Sequence, residues 1–253
     1  MKILNFRSLW ILTISICFFS EIFSQVSVMQ FRNVPQENIE EFIHRETTYW
    51  SEVAQKAVNE GKMVGWSLWQ RVGGWDMDDA STNFVFVNTF ANAEGVDNAG
   101  SIWNAEAVFP DGRMSAMETG SLGKVIHQIY VRSEGEVGAG APFQYARVNF
   151  AKASDLDAYI NLEKNVWMPF AKKHIEGGTT TQKYWNVSRL LSPSGDAIPF
   201  NAFTVDGFNK LSEVLSPAMP AGSTFPSLDE FDEVHDKVYI QTYRLIKATM
   251  PKQ

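Results

Sequence analysis

The sequence predicts an α+β chain made of two copies of one β-α-β-β-α-β unit, and three observations carry the prediction. Residues 44–69, "HRETTYWSEVAQKAVNEGKMVGWSLW", and residues 162–185, "LEKNVWMPFAKKHIEGGTTTQKYW", share a pattern: an acid, a Trp four residues later, an Ala/Lys helical stretch, a glycine and an aromatic strand. The shift from Trp50 to Trp167 is 167 − 50 = 117, and it also carries Glu46 onto Glu163, Ala54 onto Ala171 and Gly61 onto Gly178. Further on, Phe90 and Val96 meet Phe208 and Val214 at a shift of 118, and "KVIHQIY" (124–130) meets "KVYIQTY" (237–243) at 113. A period of about 115 residues is too long for a stacked solenoid repeat. Each copy is a domain-sized unit.

The elements follow in order. Residues 1–24 are set apart as a signal peptide: Lys2 and Arg7 flank the start of the apolar run Leu9–Ser20, and small Ser24 precedes Gln25. The run is shorter than the roughly 20 residues a membrane-spanning helix needs. Cys17, the only cysteine, leaves with that segment. A cysteine-free mature chain suits a periplasmic or secreted location and excludes disulfides and thiolate sites. Val26–Phe31 alternates as a strand, and Glu37–Glu60 carries apolar residues at helical spacing up to Gly61. Met63–Arg71 and Thr82–Thr89 form a hairpin about the Gly73–Asp79 loop, Ala91–Ala107 is a weaker helix, and Lys124–Arg132 is the last strand. After a Gly-rich linker at 134–142, the second copy runs Phe143–Phe150, Ser154–Glu176, Thr180–Leu190, Phe200–Val205, Phe208–Leu215 and Val238–Lys247. The expected domains are 25–137 and 138–253. This order is the split βαβ, or ferredoxin-like, arrangement.

With a formal net charge of −7 and no Lys/Arg block, nucleic acid is excluded as a partner, and so is an anionic membrane surface once the signal is cleaved. The acidic "DMDD" at 76–79 lacks the glycine and distal glutamate of a calcium loop, so it reads as a solvated acidic turn. No metal site is expected.

In such a unit one sheet face meets the helices and the other meets the partner sheet. Alternation places Met29, Phe31, Val148 and Phe150 under the helices, with Gln30, Arg32, Arg147 and Asn149 on the opposite face. Gln128 and Tyr130 join that polar face, matched to Gln241 and Tyr243 in the second copy. These residues are expected to line or rim a barrel interior. Guanidinium groups there require a carboxylate, water, or an anionic or phenolic ligand. The alternative is an internal hydrogen-bonded network that only fixes how the halves dock.

On the helices, Glu46 falls on the apolar stripe Ile39–Ile43–Trp50–Ala54, and Glu163 on Leu156–Ile160–Trp167–Ala171. A carboxylate on a core face is either an anchor bonded to its surroundings or an acid whose pKa is raised for chemistry. Pro169 and His174 follow Glu163, and His174 is the one histidine to weigh as a haem or metal ligand.

A tandem chain of this element order, with an acid-x3-Trp helix, resembles the dimeric α+β barrel superfamily with both halves fused into one chain. That superfamily includes small antibiotic-biosynthesis-type monooxygenases, EthD-like and NIPSNAP-like proteins, and haem-handling relatives. The resemblance implies a pseudo-dimer within one chain, the two ferredoxin-like units packed sheet to sheet as a barrel. The expected function is binding of a small, partly aromatic or anionic ligand by Arg32, Arg147, Gln128, Tyr130, Gln241, Tyr243, Trp50 and Trp167, without a cofactor. One alternative is a cofactor-independent or haem-dependent oxygenase-type enzyme, with Glu163, Glu46 and His174 as catalytic candidates. Another is a structural or interaction protein that binds no ligand.

Overall fold

The computed structural model describes residues 25–74, 81–112, 114–138, 143–219 and 222–251. The proposed signal, the "DMDD" stretch and residues 139–142 of the Gly-rich stretch lie outside them.

Eight strands close into one antiparallel barrel: β1 (Val26–Asn33), β2 (Gly65–Val72), β3 (Phe84–Phe90), β4 (Lys124–Val137), β5 (Tyr145–Ala153), β6 (Tyr184–Ser192), β7 (Ala202–Phe208) and β8 (His235–Thr249). The order around the barrel is β1-β3-β2-β8-β5-β7-β6-β4. One arc therefore reads β4-β1-β3-β2 and the other β8-β5-β7-β6, the same internal order twice. The arcs join edge to edge through β2–β8 and β4–β6 ladders, such as Trp69 opposite Leu245 and Arg132 opposite Arg189. Closure leaves no strand edge unpaired. The Gly-rich stretch begins later than the sequence suggested, because β4 runs through Val137, which pairs with Trp185.

Helices lie outside the barrel. In the first arc α1 (Ile39–Arg45), a π-helical turn (Glu46–Trp50) and α2 (Ser51–Asn59) form one rod. In the second, α5 (Leu156–Leu162), a π turn (Glu163–Trp167) and α6 (Met168–Glu176) do the same. The phrase repeated in the sequence is thus the π turn itself, opening on the acid and closing on the Trp. Such turns are rare and are frequent at functional sites. The short helices α3 (Ala93–Asp97) and α7 (Leu211–Leu215) also correspond, at 211 − 93 = 118. The helix expected over 91–107 forms only as α3 and scattered 3-10 turns, since Gly95, Asn98 and Gly100 are poor helix formers. α4 (Met114–Met117) and α8 (Asp229–Val234) complete the set.

The predicted strand faces are inverted. Met29, Phe31, Val148 and Phe150 point into the barrel, clustered with Ile129, Val131 and Phe203. Gln30, Arg32, Gln128, Tyr130, Arg147 and Asn149 lie on the outer face beneath the helices; Arg32 sits 4.8 Å from the Phe86 ring centroid and Tyr130 packs on the helix-side core. The physical reason is closure: both faces of this sheet are covered, so alternation along a strand cannot say which set faces which layer.

Two pairings fail as well. Phe31 faces His127 and Phe150 faces Tyr239, giving 239 − 127 = 112 rather than 113. That single residue turns Tyr243 inward while Tyr130 stays outside. The Gln241 amide donates to the Val72 and Thr242 carbonyls instead of matching Gln128. Likewise Val26 opposes Phe90 and Tyr145 opposes Phe208, so the shift is 145 − 26 = 119 and Arg32 corresponds to Ala151, not Arg147.

Candidate functional site: a tryptophan-walled cavity over the first arc

Between the outer face of the first arc and its helical cover lies a cavity of about 540 Å³. β1 contributes Gln30 and Arg32, β2 Trp66, and β3 Phe86 and Asn88; the π turn supplies Glu46 and Trp50. The segment between β3 and β4 closes it with Trp103, Met114 and Thr119.

Glu46 is 4% exposed. Thr119 Oγ1 donates to its Oε1 at 2.7 Å, and Arg32 Nη1 stands 4.0 Å from the same oxygen. Burial pushes its carboxyl up to about 7, against the opposing pull of the Thr119 hydrogen bond and the Arg32 charge. Burial also pulls the Arg32 guanidinium down, partly offset by Glu46 and Glu118. Arg32 is fixed by a chain of side chains running along the sheet. Its Nε donates to Gln30 Oε1 at 2.7 Å, Gln30 Nε2 to Gln128 Oε1 at 3.2 Å, and Gln128 Nε2 to the Tyr130 hydroxyl at 3.0 Å. Trp50 is held by its indole N–H, which donates to the Met117 carbonyl at 2.7 Å, and its ring meets Trp103 edge-on at 6.3 Å. Asn88 Oδ1, in the cavity wall, is buried and accepts no hydrogen bond. A buried acceptor left open in a cavity wall is a place for a ligand's donor.

The structure therefore gathers Glu46, Trp50, Arg32, Gln128 and Tyr130 into one system. The other sequence candidates are elsewhere. Arg147 pairs with Asp206 on the outer face of the second arc at 2.9 Å, and Trp167 stacks among Phe170 and Phe225. Glu163, also buried, shares a hydrogen bond with Tyr159 on its own rod. His174 Nδ1 is 2.8 Å from Thr179 Oγ1, its ring against Phe170. Sequence reasoning missed Trp66, Asn88, Trp103 and Thr119. Two left a signal. Asn88 interrupts the aromatic face Phe84–Phe86–Phe90, and Trp66 recurs as Trp185, since Asn88 pairs with Trp66 and Asp206 with Trp185.

None of the described cavity-lining residues is a histidine, cysteine or tyrosine. His44, His127, His174 and His235 are engaged with Thr48, Phe31, Thr179 and the Phe231 carbonyl respectively. The cavity's residues do not fit a haem held by one of these ligands. Among the described residues, no group of three or more His, Cys, Asp or Glu side chains is placed to hold a metal ion. None of the described helices is long and apolar enough to cross a membrane.

No family model and no curated protein matches the chain. Solved structures do. A proposed monooxygenase from Lactobacillus acidophilus aligns at 11% identity over 90% of this chain and 96% of its own, with a TM-score of 0.59. An anthrone oxidase-like protein aligns at 10% identity over 92% and 95%, with a TM-score of 0.55. A proposed chlorite dismutase aligns at 8% identity over 88% and 95%, with a TM-score of 0.50. At such identities the likeness establishes the fold alone, an antiparallel α+β barrel.

Proposed function

We propose that this chain binds a planar phenolic or similarly acidic aromatic molecule in the first-arc cavity, with Glu46 as proton acceptor. The observation that carries the reading is that a carboxyl with a pKa near 7 stands buried in the wall of an open, tryptophan-lined chamber. A group so tuned exchanges protons efficiently at neutral pH. The indole faces suit a flat ring, and Asn88 Oδ1 accepts a hydroxyl or N–H. When Glu46 takes the proton, its own charge disappears, and Arg32 is left to balance the ligand anion. Net charge in the buried site is unchanged by the transfer, which keeps its cost low.

The neighbours described as a proposed monooxygenase and an anthrone oxidase-like protein favour a narrower second reading. There the deprotonated, electron-rich ring passes electrons to dioxygen without a cofactor. The two arcs, with matching order and matching π turns, support descent from one ferredoxin-like unit duplicated in tandem, divided near residues 137 and 138. Export is part of the proposal, resting on residues 1–24, and N-terminal sequencing from the native host that found Met1 would reject it.

The test of the site uses 4-nitrophenol. Titrated near neutral pH, it should bind with growth of the phenolate absorption band. Glu46→Gln removes the proton acceptor, so at a pH below the phenol's own pKa the phenolate band should grow far less on binding, or affinity should fall at least tenfold, while Glu163→Gln behaves as wild type. Equal phenolate yield in wild type and Glu46→Gln would overturn the assignment.

A further inference from the structure

The barrel interior holds a second chamber, distinct in chemistry from the first. Its volume is about 210 Å³, and an outer vestibule of about 250 Å³ shares Trp69, Phe143 and Tyr184 with it. An eight-stranded barrel is just wide enough to be filled by its own side chains or to hold one small ligand. Which of these happens is decided by residue size along each strand. Inward residues of β1 are Ser27, Met29 and Phe31, and the corresponding residues of β5 are Ala146, Val148 and Phe150. Both arcs thus grade from small to large in the same direction.

At the large end the barrel is plugged. Phe31 stacks on His127 at 4.5 Å, and Phe150 stacks on Tyr239 at 4.4 Å and meets Phe200 at 4.7 Å. At the small end Ser27, Ser67, Ser133 and Ala146 leave the space unfilled. The mouth carries a polar collar. Ser27 and Thr89 hydroxyls bond at 3.0 Å, Asn186 Nδ2 donates to Ser133 Oγ at 2.8 Å, and the Tyr184 hydroxyl donates to Glu136 Oε2 at 2.9 Å. The Phe143 ring lies between Trp69 and Tyr184, with centroids 5.4 and 5.1 Å away.

We propose that this chamber is a binding site for a small uncharged amphiphile, an alkyl or aryl body with a hydroxyl head. The walls are mainly apolar down to the phenylalanine plug, with Ser188 satisfied there by donating to Asn186 Oδ1 at 2.7 Å. A cavity of roughly 150 Å³ with apolar walls already accommodates benzene. The collar offers hydroxyls that both donate and accept. Among the described residues lining the chamber and its vestibule there is no Lys, Arg or His, and Glu136 adds negative charge. A carboxylate head would be desolvated there without a counter-charge, so fatty acids are disfavoured against the corresponding alcohols.

The experiment titrates the full mature chain with 1-octanol and, separately, with octanoate, following methionine methyl groups by NMR. Met29 lines the barrel and Met114 lines the first-arc cavity, so each chamber has its own reporter. 1-Octanol should shift the Met29 methyl saturably, leave Met114 in place, and bind at least tenfold more tightly than octanoate. Ala146→Phe, which extends the plug toward the mouth, should weaken 1-octanol at least tenfold while 4-nitrophenol affinity stays within twofold. If that variant does not fold, Val148→Met adds bulk one step deeper, and the wild-type comparison decides the matter alone. A Met29 methyl unmoved at the solubility limit of 1-octanol, movement of Met114 instead, or equal affinity for octanoate overturns the proposal. None of these outcomes bears on Glu46, so the two sites stand or fall separately.

Discussion

In the first arc the buried acid is held from far away, by Thr119 of the segment before β4 and by Arg32 of β1, and beside it lies open space. In the second arc the same acid is served by Tyr159, one turn back on its own rod. The counterpart of Tyr159 is Phe42, at 159 − 117 = 42, and the counterpart of Arg32 is Ala151. Below the acid, Asn88 accepts nothing, whereas its counterpart Asp206 accepts from Arg147 Nε and Nη2, Asn149 Nδ2 and Gln182 Nε2. Tyr159, Trp185 and Phe231 pack as closed core. The difference teaches that one turn over one sheet makes either an anchor or a site. A local tyrosine and one well-placed aspartate engage the arginine and both amides, although the Trp185 indole N–H is buried there without an acceptor.

The comparison is sharpened most by pH. Glu46 has a folded pKa of about 7 against an ordinary 4.5, so the folded state binds its proton more tightly than the unfolded chain does. Its contribution to stability is full below about 4.5 and is lost as pH rises through 7. The span is 7 − 4.5 = 2.5 pH units, or about 3 kcal/mol at 1.36 kcal/mol per unit. Urea denaturation of wild type and Glu46→Gln at pH 4.5 and pH 8 should diverge by that order, with the Gln variant the steadier of the two. Parallel pH profiles would mean that the carboxyl is solvated and that the arcs do not differ as described.

Next in size is the pair Asp206→Ala and Asn88→Ala. The first strands a guanidinium and two amides. Breaking a fully buried pair costs roughly 3–5 kcal/mol, but the Arg147 side chain is 31% exposed and can recover some hydration, so about 2 kcal/mol is expected. Asn88→Ala removes an acceptor that bonds nothing and should cost under about 1 kcal/mol, while weakening 4-nitrophenol. Equal costs measured by denaturation would erase the contrast.

Much of this could be read from the chain, and the failures have one cause. The acid-x3-Trp repeat located both π turns, and helical spacing put Glu46 and Glu163 in the core, at 4% and 7% exposure. Element order delivered the strand sequence of each arc. Strand faces were not legible, because Met29 and Phe86 are equally apolar yet lie in different layers of a sheet covered on both sides. The β8 register was not legible either: both last strands carry the same bulge, opposite Phe31/Arg32 and Phe150/Ala151, and their ladders correspond at 112, while the letters of "KVIHQIY" and "KVYIQTY" match at 113. Thr119 and Trp103 come from a stretch with little periodicity, and only folding brings them over Glu46.

The smallest effect tests whether the two turns are the same device. Pro169 is the second residue of α6, and its counterpart is Glu52, at 169 − 117 = 52. Proline inside an α-helix costs about 3 kcal/mol or more, through the missing N–H and a clash with the carbonyl four back. A π turn pairs each N–H with the carbonyl five back, as the Ser51 N–H does with the Glu46 carbonyl. The first arc holds this turn without any proline, so Pro169 is tolerated by the turn and does not create it. Pro169→Ala should accordingly leave stability within about 0.5 kcal/mol, as an ordinary surface change does. Glu52→Pro is the stricter half of the test. The substituted residue is the second of α2, as Pro169 is of α6, and the Thr47 carbonyl beside it already accepts the Ser51 hydroxyl at 2.7 Å. Its cost should stay under about 1 kcal/mol, well short of the interior-helix penalty. A loss of 3 kcal/mol in Glu52→Pro by urea denaturation would show that the first arc's turn closes differently, and that the two rods share a motif without sharing its geometry.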